Sequence, residues 1–327
     1  MKKRVLSGIR ATGKLHLGNY LGAVKGMLDL QNNNQYETFY MVADAHTITT
    51  PYLPEELKNN RLEVIIDYLA AGLDPEKSII FFQSDVSEHF ELAFYFSSVT
   101  TIARIQHLPT YKDKVKQYPQ HNTMALLNYP ILMAADILIY KAQLVPVGID
   151  QEPHLEVTRE IARKMNQLYD TDFPEPVRFV TQGEYIPSLT GEGKMSKTVE
   201  GSYINLTDDF ETIRKKIRSV PTASVVGKEI TPGIKTLFTL AELFIPNQVG
   251  GFKKLFNQGK LKFVDLKDSL AQAIYKELQP IQEKRKEITV NKKYLKQMIE
   301  NSANCARQIA QQTLKEVKEK IGLTSNF

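Results

Sequence analysis

SGIRATGKLHLGNYLGA, residues 7–23, follows the apolar pair Val5 and Leu6 and reads as the junction of a strand with a helix. Three glycines (Gly8, Gly13, Gly18), an imidazole (His16) and a carboxamide (Asn19) crowd that junction. Gly8 to Lys14 fits the G-x-x-x-x-G-K of a phosphate-binding loop, but the next residue is Leu15, which has no oxygen for Mg²⁺ where such a loop needs Ser or Thr. His16-Leu17-Gly18-Asn19 is the better candidate. A helix start offers free N–H groups and partial positive charge to an anion. Gly18 has no Cβ to keep a phosphate or base away, and the side chains of His16 and Asn19 can donate hydrogen bonds as charge develops there. The plain alternative is a strand-to-helix turn with a surface histidine, so the remaining segments must decide.

Outward from this junction, strands at 5–9, 38–43 and 78–83 alternate with helices at 19–31 and 54–71, the second ended by Gly72. That is βαβαβ, an α/β fold with a parallel sheet covered by helices. Two helical stretches, about 88–106 and 121–140, flank a polar loop with Pro109 and Pro119 and read as an insertion, about 88–140. A strand at 144–147, a helix at 151–168 and a strand near 177–181 complete a first domain, 1–205. Beyond 206 the strand signals stop. Asp208 followed by Glu211 resembles a capping box, and helical spacing at 232–245, 263–287 and 291–320, with a stripe of Leu270, Ala273, Ile274, Leu278 and Ile281, predicts an all-helical second domain, 206–327.

Ligands in open parallel sheets sit beyond the carboxyl ends of the strands, which directs attention to the residues just past each strand. GKMSKT, 193–198, puts Lys194 and Lys197 three apart with Ser196 between them on a glycine-flanked loop that could fold over a polyphosphate. A solvated basic loop is the ordinary alternative. VPVGIDQEPHLEVTREIA, 145–162, ends a strand at Gly148 and leads a helix with Asp150 and Gln151, where a ribose would lie or where Asp150 simply caps the helix. In NYPILMAADILIY, 128–140, helical spacing puts Asp136 on one face with Tyr129, Met133 and Tyr140. A carboxylate there needs a donor, either another side chain or a ligand N–H in an aromatic and apolar pocket.

Composition narrows the class. With 327 residues, 42% hydrophobic and 24% charged, and no apolar run of about 18 residues, the chain reads as a soluble protein with no membrane span. Its first residues are too poor in apolar side chains for a secretory signal, which predicts a cytosolic, cytoplasmic protein. One cysteine, Cys305, reads as a core thiol, and no His or Cys pair has metal-site spacing, so no protein-ligated metal is expected. Residues 1–205 carry 20 Lys and Arg against 24 Asp and Glu, whereas 206–327 carry 22 against 13. The basic surplus therefore lies in the helical part, as a solvated surface or a contact for a phosphate backbone.

Taken together these segments resemble the class I aminoacyl-tRNA synthetases. His16-Leu-Gly-Asn19 is similar to their HIGH motif and Lys194-Met-Ser-Lys-Thr198 to their KMSKS loop. SGIRATGKLHLGNYLGA, ADAHTIT, YPILMAADILIY and VPVGIDQEPHLEVTREIA, in that order, resemble the bacterial-type tryptophan branch over almost the whole chain. The resemblance implies a Rossmann-like catalytic domain, a helical anticodon-binding domain and a homodimer. It also implies an enzyme that joins L-tryptophan to tRNA(Trp) through a tryptophanyl-adenylate made from ATP and Mg²⁺.

By position, His16, Asn19, Lys194 and Lys197 would be catalytic. Arg10, Ala11, Thr12, Gly18, Gly148, Ile149, Asp150 and Ile186 would line the ATP site with Asn19, and Lys194, Met195, Ser196, Lys197 and Thr198 would close on the phosphates. Asp136 would accept the indole N–H, with Leu6, Gly8, Tyr129, Met133, Val145 and Val147 shaping the pocket and His46 and Gln151 beside it. A buried acceptor of this kind rejects side chains without a matching donor. Arg10 and Ala11 stand where many members have Gln and Pro, and Thr198 replaces a Ser while keeping the hydroxyl. The rivals to this reading are tyrosine specificity and a non-catalytic paralogue that binds tryptophan or RNA. The single cysteine excludes the iron–sulfur cluster that some members carry.

Overall fold

The structure, a computed structural model, describes residues 2–180, 185–222 and 230–324. β1 (Lys3–Arg10) leads into α1 (Leu17–Asn19), which runs on through a π-turn at Tyr20–Val24 into α2 (Lys25–Gln31). β2 (Tyr36–Ala43), α3 (Pro54–Ala71) and β3 (Ser78–Phe82) complete βαβαβ. Pro54 opens α3, where a missing N–H costs nothing, and Gly72 closes it at φ +113°, a left-handed conformation that side chains disfavour.

The insertion follows as α4 (Glu88–Ser97), α5 (Ile102–Gln106), α6 (Pro109–Gln117) and α7 (Met124–Ile139). β4 (Leu144–Pro146), α8 (Glu152–Tyr169) and β5 (Val177–Phe179) end the sheet. All five strands are parallel in the order β3-β2-β1-β4-β5, with Arg10 opposite Ala43 and Val5 opposite Leu144. The order reverses between β1 and β4, which opens a crevice beyond their carboxyl ends.

Alternate residues of the strands feed two cores. Tyr40, Val42, Ile80 and Phe82 face α1 to α3 on one side; Leu6, Phe39, Met41, Phe81 and Val145 face α4, α7 and α8 on the other. Each large apolar side chain buried this way contributes roughly 1.5–3 kcal/mol.

The last elements are helical: α9 (Phe210–Ser219), α10 (Pro232–Phe244), α11 (Pro246–Asn257), α12 (Phe263–Val290) and α13 (Lys292–Lys320). Among the described residues no helix is long and apolar enough to cross a membrane. α12 packs on α3 and α9. α13 spans both cores, placing Leu295, Met298 and Ile299 in the first and Ala303, Ala306, Ala310, Leu314 and Val317 in the second, against β3 and α4. Residues 206–327 thus share their core with 1–205.

Several local expectations are corrected. The single helix of 88–106 is two, because the chain turns at 98–101 and Thr101 caps α5 by accepting from the Arg104 N–H at 3.3 Å. α11 carried no signal: Gly250 and Gly251 each lower helix propensity by about 1 kcal/mol and the helix buries no residue. Asp209, rather than Asp208, caps α9, accepting from the Thr212 N–H at 2.8 Å, while Asp208 pairs with Lys216. Cys305 is exposed, because the buried stripe of α13 runs through Ser302, Ala303 and Ala306 and leaves it on the opposite face. β5 stops at Phe179, and residue 181 of the expected strand lies outside the described residues.

Candidate active site

The crevice is bounded by the segment after β1. His16 caps α1 in extended geometry: its Nδ1 accepts from the Asn19 N–H at 3.3 Å while the Asn19 side-chain oxygen accepts from the His16 N–H at 3.2 Å. This reciprocal box fixes the imidazole tautomer, with the proton on Nε2 free to donate. Burial, with the charges of Lys197 and Lys194 next, pulls the His16 pKa down to about 4, so the ring is neutral at pH 7. Gly18 is what lets both side chains stand this close. A Cβ would lie 2.9 Å from His16 Cε1 and 3.2 Å from Met195 Cβ.

Met195 reaches this point because residues 186–202 form a tight bulb. Its N–H donates to the Ile186 carbonyl at 2.9 Å, Ser188 N–H donates to the Gly193 carbonyl at 3.0 Å, and Leu189 N–H donates to the Ser202 carbonyl at 3.0 Å. Gly193 and Gly201 turn the bulb at φ +72° and +73°. With the Met195 side chain sunk in the core, the two lysines project forward. Lys197 Nζ donates to the Thr12 carbonyl at 2.9 Å, and burial lowers its pKa to about 8 against the pull of Asp67 and Glu63. Lys194 lies beside Gly148, where a Cβ would sit 3.8 Å from its Nζ and 2.5 Å from Asp150 Oδ1. Segments 175 and more residues apart in sequence thereby frame one cationic crevice.

Next to it opens a cavity of about 480 Å³, within the roughly 300–1,000 Å³ usual for small-molecule sites. Leu6, Gly8, Met41, Met133, Val145 and Val147 give it apolar walls, Tyr129 and His46 aromatic ones, and Asp136 lies at its floor, fully buried. Asp136 is held by three donors: His46 Nε2 at 2.8 Å, His89 Nδ1 at 2.6 Å, and Gln83 Nε2 at 2.8 and 2.9 Å to its two oxygens. Burial alone would raise its pKa; the bonds from His46 and His89 outweigh burial and hold it at about 2. It is a carboxylate at neutral pH. At the other wall Tyr129, His154 and Thr110 bond one another, the Tyr129 hydroxyl lying 2.7 Å from His154 Nε2.

All nine residues expected around the indole, Gln151 included, line this cavity. Of those expected around ATP, Arg10 and Asp150 line it too. Ala11 and Ile186 have buried side chains, so they offer backbone only: Ile186 anchors Met195, and the Ala11 N–H is itself taken by Thr47 Oγ1 at 3.1 Å. Arg10 points one guanidinium nitrogen at Thr50 Oγ1, 2.9 Å away, and its buried Nε has no partner. Sequence reading missed Gln83, His89, His154, Asp113 and Lys114. The last two line the cavity from α6, and Lys114, like Arg10, is a cation at its wall. Their only signal was the charge of the polar loop between the inserted helices. Among the described residues, no three His, Cys, Asp or Glu side chains gather as a metal site.

Comparison with known proteins fits this geometry. The family described as tRNA synthetases class I (W and Y) matches residues 1–306. The tryptophan–tRNA ligase of Chlamydia caviae is 40% identical over 337 residues, spanning 100% of this chain and 97% of its own, and that of Rickettsia conorii is 41% identical over 335 residues, spanning 98% and 99%. Among solved structures, tryptophanyl-tRNA synthetase from Mycoplasma pneumoniae aligns with TM-score 0.86 at 32% identity over 99% of both chains. The Campylobacter jejuni enzyme, solved in complex with ADP and tryptophan, aligns at 0.85 and 33% identity over 98% of this chain and 100% of its own.

Proposed function

We infer, from the premise that this chain belongs to the class I tRNA synthetases for tryptophan and tyrosine, that it is a tryptophan–tRNA ligase, working in the cytosol as a homodimer on L-tryptophan, Mg²⁺-bound ATP and tRNA(Trp). A carboxylate oxygen of tryptophan attacks the α-phosphorus of ATP, the bond from that phosphorus to the bridging oxygen breaks, and pyrophosphate leaves with the electron pair. A ribose hydroxyl of the tRNA's 3′-terminal adenosine then attacks the carbonyl carbon of the adenylate and gives up its proton, and AMP leaves. Mg²⁺ arrives on the nucleotide as part of the substrate.

The residues divide these tasks. Asp136, ionised at the cavity floor, accepts the indole N–H, and Leu6, Gly8, Met133, Val145 and Val147 with Tyr129 enclose the ring. His46 and Gln151 stand at the same wall. Neutral His16 donates from Nε2 to the nucleotide phosphates beside Asn19, and Lys194 and Lys197 neutralise the charge that develops on the leaving pyrophosphate. Arg10, Thr12, Gly18 and Gly148 to Asp150 line the nucleotide path, with Met195, Ser196 and Thr198 shaping the flap that closes on it. The basic surplus of the helical part supplies the surface for tRNA.

The observation that carries this reading is the convergence of two distant segments, Met195 against Gly18 and Lys197 on Thr12, next to a cavity that holds a buried carboxylate. The test is tryptophan-dependent pyrophosphate–ATP exchange with purified protein. Exchange with tryptophan and none with phenylalanine is expected; no exchange refutes the enzyme. The chain has no tryptophan of its own, so bound ligand supplies the indole fluorescence for a direct titration.

Support for the homodimer comes from an apolar groove on the inserted helices, lined by Ile48, Phe90, Ala93, Phe94, Ile131 and Leu132, with Phe94 74% exposed. It shares Thr49 and Tyr129 with the cavity wall. Phe94→Asp is expected to yield monomers by sedimentation and to weaken tryptophan binding; a dimer that persists counts against this face.

A further inference from the structure

Two buried polar side chains outside the cavity are as yet without a task. Gln83 and His89 are both fully buried, do not line the cavity, and converge on Asp136 from the end of β3 and from α4. Each is locked by a further partner. The Gln83 side-chain oxygen accepts from the His46 N–H at 3.3 Å, so its amide group must point at the carboxylate. His89 donates from Nδ1 to Asp136, which leaves Nε2 to accept from the Tyr140 hydroxyl at 2.7 Å, and Tyr140 itself stacks on Phe39 at 4.7 Å.

A carboxylate has about four lone-pair directions. Gln83 feeds both oxygens, His89 feeds Oδ1 and His46 feeds Oδ2. Of these donors only His46 belongs to the cavity wall. The two hidden donors therefore fill the sides of the carboxylate turned away from substrate.

We propose that Gln83 and His89 are positioning residues that fix the rotation of Asp136 so that the one acceptor direction on the cavity side, the Oδ2 edge held by His46, is the edge offered to a substrate N–H in exchange for His46, which makes selection for a side chain bearing an N–H depend on them. The proposal rests on the reading of Asp136 as the indole acceptor. Its logic is chemical. A carboxylate that rotates or takes a proton presents an O–H or a filled edge to the indole, and the pocket loses its reason to prefer tryptophan over phenylalanine. Besides Gln83, the groups facing Asp136 are the imidazoles of His46 and His89 and, beyond His89, the Tyr140 hydroxyl with Glu88 nearby.

The test is exchange kinetics with tryptophan, phenylalanine and ATP varied in turn, in the full chain. His89→Leu is expected to raise the KM for tryptophan by roughly 30-fold or more while the KM for ATP moves less than about twofold, the loss expected for a donor removed from a buried charge. It should also make kcat/KM for tryptophan fall with decreasing pH in a range where the parent is flat. His89→Asn, whose amide still reaches Asp136 as a donor, should recover most of the loss. Tyr140→Phe removes only the hydroxyl that orients His89 and should raise the tryptophan KM several-fold, about the value of one hydrogen bond; it decides the matter alone if His89→Leu does not fold.

The proposal is overturned if the tryptophan KM is unchanged in both variants, if both KM values rise together, or if Asn does no better than Leu. Asp136→Asn separates the two layers. If selection for tryptophan survives it, the indole reading falls and the proposal with it; if selection is lost there but not in His89→Leu and Tyr140→Phe, only the positioning role falls.

Discussion

In the proposed reaction, a histidine kept neutral beside two lysines is the point where residue chemistry and phosphoryl chemistry meet. There the imidazole of His16 would add a directed N–H and the lysines the charge, so each proposed role can be tested by its own titration. Burial lowers the Lys197 ammonium to about 8, so its charge, and with it the exchange rate, is expected to fall as pH rises past that value. Lys197→Arg should move the decline to higher pH in a pH–rate profile, and an unmoved profile would assign the decline elsewhere. His16 takes up a proton near 6.5 when unfolded but near 4 in the fold. Between those values the unfolded chain binds more protons, so a contribution on the order of 3 kcal/mol, present above about pH 6.5, is lost as pH falls through about 4. His16→Asn keeps an oxygen at the cap and removes the titration; its urea midpoint should drop less than the parent's between pH 7 and 4.5. His154, also lowered to about 4 by burial, leaves part of the slope in place. At this scale the residues within each motif were readable, because neighbours in sequence share a helix face or loop. Gln83 and His89 were not, since they meet Asp136 only once three separate segments pack, and no spacing announces that.

Elements set where those side chains stand, and α1 meets the bulb at 186–202 at close range. Gly18→Ala would drive a methyl into His16 and Met195. The imidazole can swing aside, so melting temperature is expected to change by only a few degrees, while exchange should fall on the order of 100-fold because the Nε2 donor is displaced. A variant with parental exchange would show that the glycine serves folding alone. The elements themselves were legible in proportion to their periodicity. α3, with a proline start and glycine stop, matches 54–71 residue for residue, and the three early strands match to within a few residues because period-two burial on both faces is hard to mistake. α11 escaped notice because it buries nothing and holds a glycine pair. The break between α4 and α5 escaped because apolar spacing continues across a turn made by backbone bonds at 98–100 and the side-chain cap of Thr101.

Across the whole molecule the helical part is tied into the α/β part at the His16 turn. Arg285 of α12 bonds Glu63 and Asp67 of α3, and Asp67, fully buried, accepts from the Leu15 N–H at 2.6 Å, one residue before His16. Glu277 of the same helix accepts from the Tyr20 hydroxyl at 3.2 Å and pairs with Lys25 at 2.8 Å. Arg285→Met strands a buried carboxylate, and a loss of roughly 3–5 kcal/mol in denaturant unfolding is expected, with slower exchange from the freed Leu15 turn. A stability change under about 1 kcal/mol would show that water enters and solvates Asp67. Sequence alone placed a boundary near 205 because strands cease there, but strand content does not tell where packing divides. α13 returns to cover β3 and α4, the last long element laid against some of the first. During synthesis on the ribosome, then, Phe81 and Leu92 emerge some two hundred residues before the helix that shelters them. Until α13 emerges the nascent chain carries that flank bare, a natural target for chaperone capture, and α7, whose Met133 and Asp136 line the cavity, goes without its partner helix.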